Sequence, residues 1–294
     1  MTWDHEPSKP SLRLRPLTLA DLPFADSVRA LAGWNQTRAD WERFLAIEPD
    51  GCFLAEWDGA RAGTATTTVY GPELAWIGMV LVHPDYRRRG IGKALLRGCI
   101  HYLRDRGLRC IKLDATPAGK VVYDSLGFRE EWTLTRWAGQ PAPLELATFD
   151  PTLRPWRETD TLLVESLDVA AFGVSRHRLL SALARQRASA MVLDSGQGHI
   201  ASFGMTRPGS RALYLGPMVA ASAEAGVRLV EALLSDCNGQ TVFWDIPDQN
   251  EPALAWARQH GFGVQRPLIR MFLGDNSNPG DPLKQFALAG PEIG

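Results

Sequence analysis

Val82-His83-Pro84-Asp85-Tyr86-Arg87-Arg88-Arg89-Gly90-Ile91-Gly92-Lys93-Ala94 is the stretch that decides the fold. The apolar run in front of it, Ala75 to Val82, reads as a buried strand. Pro84 has no N–H for a sheet ladder and ends that strand. Beyond the glycines, Leu95, Leu96, Cys99, Ile100 and Leu103 recur at helical spacing. The local order is strand, basic glycine turn, helix.

That order makes an anion site. The first turn of a helix has free N–H groups and a partial positive charge. Gly90 and Gly92 have no side chain to hold a phosphate off the backbone. Arg87, Arg88, Arg89 and Lys93 add charge, so the turn reads as a cradle for a pyrophosphate. A P-loop would need Gly at Arg87 and Ser or Thr at Ala94, so that reading fails. A dinucleotide fingerprint would need a third Gly at Leu95. Asp114 is well spaced for its acidic residue, but the missing Gly and the arginine run weaken it.

The stretch resembles the GCN5-related N-acetyltransferase (GNAT) superfamily. Arg87-Arg88-Arg89-Gly90-Ile91-Gly92 matches that family's acetyl-CoA motif, Arg/Gln-x-x-Gly-x-Gly/Ala. Ile77 to Pro84 is similar to its fourth strand, Ile111-Lys112-Leu113-Asp114 to its fifth, and Tyr123-Asp124-Ser125-Leu126-Gly127-Phe128 to its Tyr-x-x-x-Gly-Phe ending. The resemblance implies an α/β fold in which a mostly antiparallel central sheet is flanked by helices. It implies acetyl-CoA as co-substrate, with no metal. The cofactor side would comprise Val80, Leu81 and Val82 at a bulge in the fourth strand, Arg87 to Ala94 in the turn, and Thr116. Tyr123 stands where the family places the acid for the leaving thiolate. Glu73, just before the central strand, is the candidate base, with His83 and Asp85 behind it; each reads more readily as a surface or turn residue. Asp114 reads equally as a strand-end cap.

Length and composition agree with a soluble two-domain protein. The chain has 294 residues, 45% hydrophobic and 22% charged, with a net charge of −1. No basic field points to nucleic acid. No apolar run reaches the roughly 18 residues of a membrane helix, and the first residues lack a signal-peptide pattern. Cys52, Cys99, Cys110 and Cys237 show neither metal spacing nor Cys-x-x-Cys pairing, which fits free thiols and a cytoplasmic location.

From the start, residues 1 to about 11 read as a loose tail, Leu12 to Arg15 as a strand, and Leu22 to Leu31 and Thr37 to Ile47 as helices. The resemblance sets that helical pair against the acceptor pocket. Trp34 and Trp41 are then candidate substrate contacts, although aromatics at helical spacing more commonly pack the core. Cys52 to Trp57 and Ala62 to Tyr70 read as a hairpin across Asp58-Gly59.

The same landmarks then return in order. Leu14-Arg15-Pro16 is echoed by Leu153-Arg154-Pro155, Ile77-Gly78-Met79-Val80 by Leu215-Gly216-Pro217-Met218-Val219, and Gly127-Phe128 by Gly261-Phe262. The second copy reads as another GNAT-like domain, with the cut near Thr148: residues 1–147 carry the acetyl-CoA site and residues 148–294 do not. In place of the arginine-glycine turn the second copy has Ala220 to Gly226 without a basic residue, and Ala257 replaces Tyr123. Asn250 falls at the position of Thr116. The tail after Gly274, Asn276 to Pro282 in particular, reads as loosely ordered. The expected activity is transfer of an acetyl group from acetyl-CoA to a primary amine on a small molecule or peptide. The alternative is an acetyl-CoA-binding regulatory module without turnover. The acceptor's identity is open, and so is whether the chain acts alone or as a homo-oligomer.

Overall fold

The computed structural model describes residues 11–142, 150–196, 198–237 and 239–294. The first half runs β1 (Leu12–Pro16), α1 (Leu22–Leu31), α2 (Arg38–Ile47), β2 (Phe53–Trp57), β3 (Ala60–Tyr70), β4 (Leu74–Val82), α3 (Ile91–Asp105), β5 (Cys110–Ala115), α4 (Pro117–Asp124) and β6 (Arg129–Gly139). The second half repeats it with β7 (Leu153–Pro155), α5 (Thr161–Phe172), α6 (His177–Arg185), β8 (Ser189–Gly196), β9 (His199–Arg207), β10 (Leu213–Ala220), α7 (Ala223–Leu234), β11 (Val242–Pro247), α8 (Glu251–Gln259) and β12 (Gly263–Gly274). A thirteenth described strand, β13 (Gln285–Ala287), follows. The repeat extends to side chains: Arg15 holds Asp21 at 2.8 Å, and Arg154 holds Asp160 at 2.7 Å.

The central elements form as their patterns dictate. β4 is apolar and mostly buried, as a strand covered on both faces requires. α3 turns Ile91, Leu95, Leu96, Cys99 and Leu103 inward, which seats it on the sheet and lets β5 return parallel to β4. Cys52, Cys99 and Cys110 are buried free thiols.

All described strands belong to one sheet, in the order β1-β2-β3-β4-β5-β12-β6-β11-β10-β9-β8-β7, with β13 added against β10. Among the described strands only β4–β5 and β10–β11 are parallel. The order shows that the two halves exchange their last strands. β12 lies beside β5, with Ile269 opposite Ala115, and β6 lies beside β11, with Val242 opposite Gly139. Two buried ion pairs fix this exchange. Arg270 on β12 reaches Asp114 on β5 (2.9 and 3.0 Å), and Arg136 on β6 reaches Asp245 on β11 (2.7 and 2.6 Å).

The expected cut near Thr148 and the stretch up to residue 10, which reads as a loose tail in the sequence, lie outside the described residues. The expectation for the tail needs correction. Past Gly274 the chain is ordered and returns to the interior: Phe286 and Ala287 are buried in the second half's core, and Leu288, Ala289, Ile293 and the Glu292 side chain are buried beyond them. Its prolines and glycines shape a path through the interior, where Leu288 N–H donates to the Asp245 carbonyl at 3.0 Å.

Candidate active site

β4 and β5 pair only from Leu74↔Cys110 to Trp76↔Lys112, then diverge and leave a cleft. At the mouth of the cleft β4 carries an extra residue: Thr64 of β3 pairs with Leu81, but Thr66 pairs with Gly78. Met79 takes up the bulge with φ of 50°, a left-handed conformation that costs a side-chain-bearing residue about 1–3 kcal/mol. Its carbonyl is held by the Thr64 hydroxyl at 2.9 Å. The family resemblance implies a bulge at Val80 to Val82; the bulge here is centred just before them, at Met79.

One cavity, of about 490 Å³, lies over the glycine turn. Val80, Val82, Arg87, Arg88, Gly90, Ile91, Gly92 and Lys93 form one wall, and Gly119, Val121 and Tyr123 of α4 the other. Gly90 precedes α3 with φ of 79°, and a Cβ built on it would meet nothing within 4 Å. A Cβ on Gly92 would meet only Val82, at 3.7 Å. Both glycines therefore keep backbone open to the cavity at a helix N-terminus, which fits a phosphate group. Arg87 Nε donates to the Val82 carbonyl at 3.3 Å. Four expected members do not line this cavity, among them Thr116, which lines a neighbouring cavity instead. Arg89 stacks over Trp57 and Tyr86 (5.3 and 5.6 Å), Ala94 closes the first turn of α3 by donating to the Gly90 carbonyl, and Leu81 packs into the core.

A second cavity, of about 180 Å³, adjoins the first. It is bounded by Trp34 and Gln36 between α1 and α2, by Gly78 and Met79 of the bulge, by Asp114 and Thr116, by Arg266 and Leu268 of β12, and by Pro291 and Glu292. Val80, Gly119 and Tyr123 line both cavities. Tyr123 packs edge-on to Phe128, and burial pushes its phenol up to about 12, with a smaller push from Cys99. It therefore stays protonated at neutral pH. Thr116 caps α4 by accepting the Gly119 N–H at 3.1 Å, and so fixes the shared wall.

Other expected residues fall elsewhere. Glu73 is exposed in the turn before β4, its carbonyl bonded to Cys110 N–H. Six residues of strand, about 20 Å, separate it from Met79, at the end of the cleft away from the glycine turn. It lines neither cavity, because a base must sit beside the bulge and not at the strand's start. His83 and Asp85 pair with each other at 3.6 Å outside both cavities. Asp114 is no mere cap: it is the buried partner of Arg270, and burial raises its carboxyl above the ordinary range despite that arginine. Trp41 packs in the core against Phe44, whereas Trp34 reaches the cavity wall.

Three polar residues of the second cavity gave no sequence signal: Gln36, Arg266 and Glu292. Gln36 Nε2 donates to the Glu292 carboxylate at 2.7 Å, while its Oε1 is buried without a partner. Burial, then Asp40, raise the Glu292 carboxyl above its ordinary range, with Arg207 and Arg43 opposing. A carboxylate in that state is a stronger proton acceptor than a solvated one.

In the second half the corresponding cleft is filled by the chain itself. β10 and β11 also pair over three residues and then diverge, past a bulge between Leu215 and Met218. β13 lies in the gap, with Met218 opposite Ala287. Asn250, the counterpart of Thr116, gives its amide hydrogens to the carbonyls of Leu283 and Gln285 (3.0 and 3.1 Å). The Phe286 ring presses on the first turns of α7, where a Cβ on Gly226 would lie 2.2 Å from it. Trp244 Nε1 donates to the Phe286 carbonyl at 2.8 Å. Ala257, at the position of Tyr123, is buried. The segment then continues to place Pro291 and Glu292 in the first half's cavity.

Comparison with known proteins agrees with this geometry in both halves. Residues 19–128 match a model described as the acetyltransferase (GNAT) family, and residues 164–287 one described as an acetyltransferase (GNAT) domain. The chain is 25% identical to the uncharacterized N-acetyltransferase YitH of Bacillus subtilis over 60% of this chain, and the match spans 62% of that protein's length. It is 24% identical to the holothin acyltransferase of a Pseudoalteromonas species over 95% of this chain and 94% of that one. A crystal structure from Pyrococcus horikoshii superposes with a TM-score of 0.82 at 24% identity, covering 96% of each chain. Two matched models, a repeated fold and a glycine turn beside a bulged strand lead to one assignment: the chain belongs to the GNAT superfamily of acyltransferases, as a tandem GNAT protein.

Proposed function

We propose that the protein is an N-acetyltransferase with one acetyl-CoA site, in its first half, that acetylates a primary amine by direct transfer. The observation that carries this reading is the shared wall of Tyr123, Val80 and Gly119 between the phosphate-compatible cavity and the second cavity. A thioester laid along β4 would present its carbonyl at the Met79 bulge, where backbone groups stabilise the oxyanion as it forms. An acceptor in the second cavity reaches the same point. Its ammonium gives one proton to Glu292, and the nitrogen attacks the carbonyl carbon. As the C–S bond breaks, Tyr123 protonates the thiolate, and the nitrogen's second proton restores the phenol. The products are an amide, a thiol and one proton released through Glu292. Glu292 takes the place expected for Glu73, on grounds of position.

A second cavity that shares a wall with the cradle favours turnover over a purely regulatory acetyl-CoA module. The test is a calorimetric titration with acetyl-CoA followed by thiol release with a panel of amines. One site per chain and steady thiol release are expected. No site would overturn the cradle, two sites would overturn the single-site reading, and binding without release for any amine would establish the regulatory module.

A further inference from the structure

Arg266 is a half-buried cation that no hydrogen bond or ion pair among the described residues neutralises, and its Nε is inaccessible and unpartnered. Its neighbours are already committed: Arg136 is bound to Asp245, and Glu292 to Gln36. A guanidinium drawn partly out of water with an inaccessible, unsatisfied N–H is costly unless a compensating partner meets it. Burial, then the nearby charge of Arg136, bring its pKa down to about 10, so it remains charged at neutral pH.

The backbone is shaped to deliver this side chain. Val264 of β12 pairs with Trp137 of β6, but Arg266 pairs with the adjacent Arg136, so Gln265 is an inserted bulge. Bulges re-aim side chains beside active sites. Here the bulge and the strand exchange together put Arg266, a second-half residue, into the first half's cavity, on the same face as Leu268. That cavity also holds the free Gln36 Oε1 and the Glu292 carboxylate, which suit an ammonium.

We propose that Arg266 anchors an oxyanion carried by the acceptor, so that the amine acetylated by this protein is a small dipolar molecule with an anionic group near its amine. This rests on the transfer reaction proposed above and adds the acceptor's class to it. A charged hydrogen-bonding partner in such a site discriminates by roughly 10- to 100-fold against an analogue that lacks it.

The probes are glycine, β-alanine, 4-aminobutyrate and 5-aminovalerate, each against the n-alkylamine without the carboxylate, together with 2-aminoethylphosphonate. Binding is measured directly without acetyl-CoA, and kcat/KM is measured by thiol release with it. The native protein is expected to bind at least one of the amino acids or the phosphonate, and to prefer it about tenfold or more over its neutral match. Arg266→Met is expected to erase that preference with acetyl-CoA affinity unchanged. Preference for the phosphonate would identify a phosphorus oxyanion as the anchored group, and preference for an amino acid a carboxylate. Because Arg266→Met removes a half-buried guanidinium with an unsatisfied N–H, its melting temperature should hold or rise, whereas a purely structural arginine would lower it. Arg266→Lys, which keeps the charge, should retain part of the preference and serves if the methionine variant does not fold. Absence of preference in the native protein, or its persistence in Arg266→Met, overturns the proposal. Failure of acetyl-CoA to bind would instead overturn the transfer reaction, and the direct amine titration would still report on Arg266.

Discussion

Asp245→Ala probes the contact on which the strand exchange depends. The carboxylate accepts from Arg136 Nε and Nη2 (2.7 and 2.6 Å) and from the Tyr214 hydroxyl (2.7 Å), and all three residues are buried. Without it, a guanidinium on β6 faces β11 with no acceptor, and Tyr214 keeps only the Leu288 carbonyl at 3.2 Å. Removing one member of a buried pair costs about 3–5 kcal/mol, because the other charge remains unpaired. The lost tyrosine bond belongs to the same network and does not simply add to that figure. A loss of about 4 kcal/mol is expected, a large share of the roughly 5–15 kcal/mol that holds a typical domain together. Urea unfolding followed by tryptophan fluorescence measures it, since Trp137 and Trp244 lie opposite each other on the two strands. The double variant Arg136→Met/Asp245→Leu should recover most of the loss, because an apolar pair leaves no charge buried. A single-variant loss below about 1 kcal/mol, or a double variant as unstable as the single one, would refute the argument that charge pairing fixes the exchanged strand.

Tyr123→Phe should lower kcat on the order of 100-fold, the usual scale of general acid work, with acetyl-CoA affinity unchanged; unchanged turnover would remove Tyr123 from the mechanism. Gly78→Ala should dislodge the segment around Glu292, since the new Cβ would lie 2.4 Å from the Glu292 carbonyl oxygen. Faster proteolysis after Gly274 with acetyl-CoA binding retained would bear that out, and an unchanged digestion pattern would count against the contact. The two mirror carboxylates should respond oppositely to acid. Asp245 is buried, but Arg136 and Tyr214 outweigh that burial and hold its carboxyl below the ordinary range, so its contribution is present above about pH 4 and lost as pH falls through the folded value. Asp114 has its carboxyl raised by burial, so protonation favours the folded state and Asp114→Asn should cost less at pH 7 than Asp245→Asn; the reverse ranking in urea melts would contradict these assignments.

What the sequence revealed was local. Strand, glycine turn and helix lie within thirty residues, and each has its own periodicity or breaker, so their order could be read from adjacent residues, whereas the bulge came only from the family resemblance. Choice of strand neighbour is not local. Arg270 would suit Asp245 as well as Asp114 by residue type, and nothing in β12 names the edge it joins. The buried tail was hidden by composition: Asn276 to Pro282 is rich in turn formers, and only the short run Phe286 to Ala289 hinted that the chain goes back inside. Glu292 and Arg266 were invisible because their roles come from burial, which a single charged letter does not announce. Glu73 attracted attention through nearness in sequence to the central strand, but a strand separates its two ends by its whole length.

The exchange of last strands also sets a timetable for synthesis. When residue 139 has left the ribosome, every element with first-half connectivity exists, yet β5 has no permanent neighbour on one side and β6 has no β11 to join. At ordinary elongation rates the wait for β12 lasts on the order of ten seconds. Throughout it the nascent chain shows an unpaired sheet edge, the kind that recruits other strands. The same geometry offers a neighbouring nascent copy a place to insert its own β12, so crowded translation of one message would yield interlocked dimers alongside monomers.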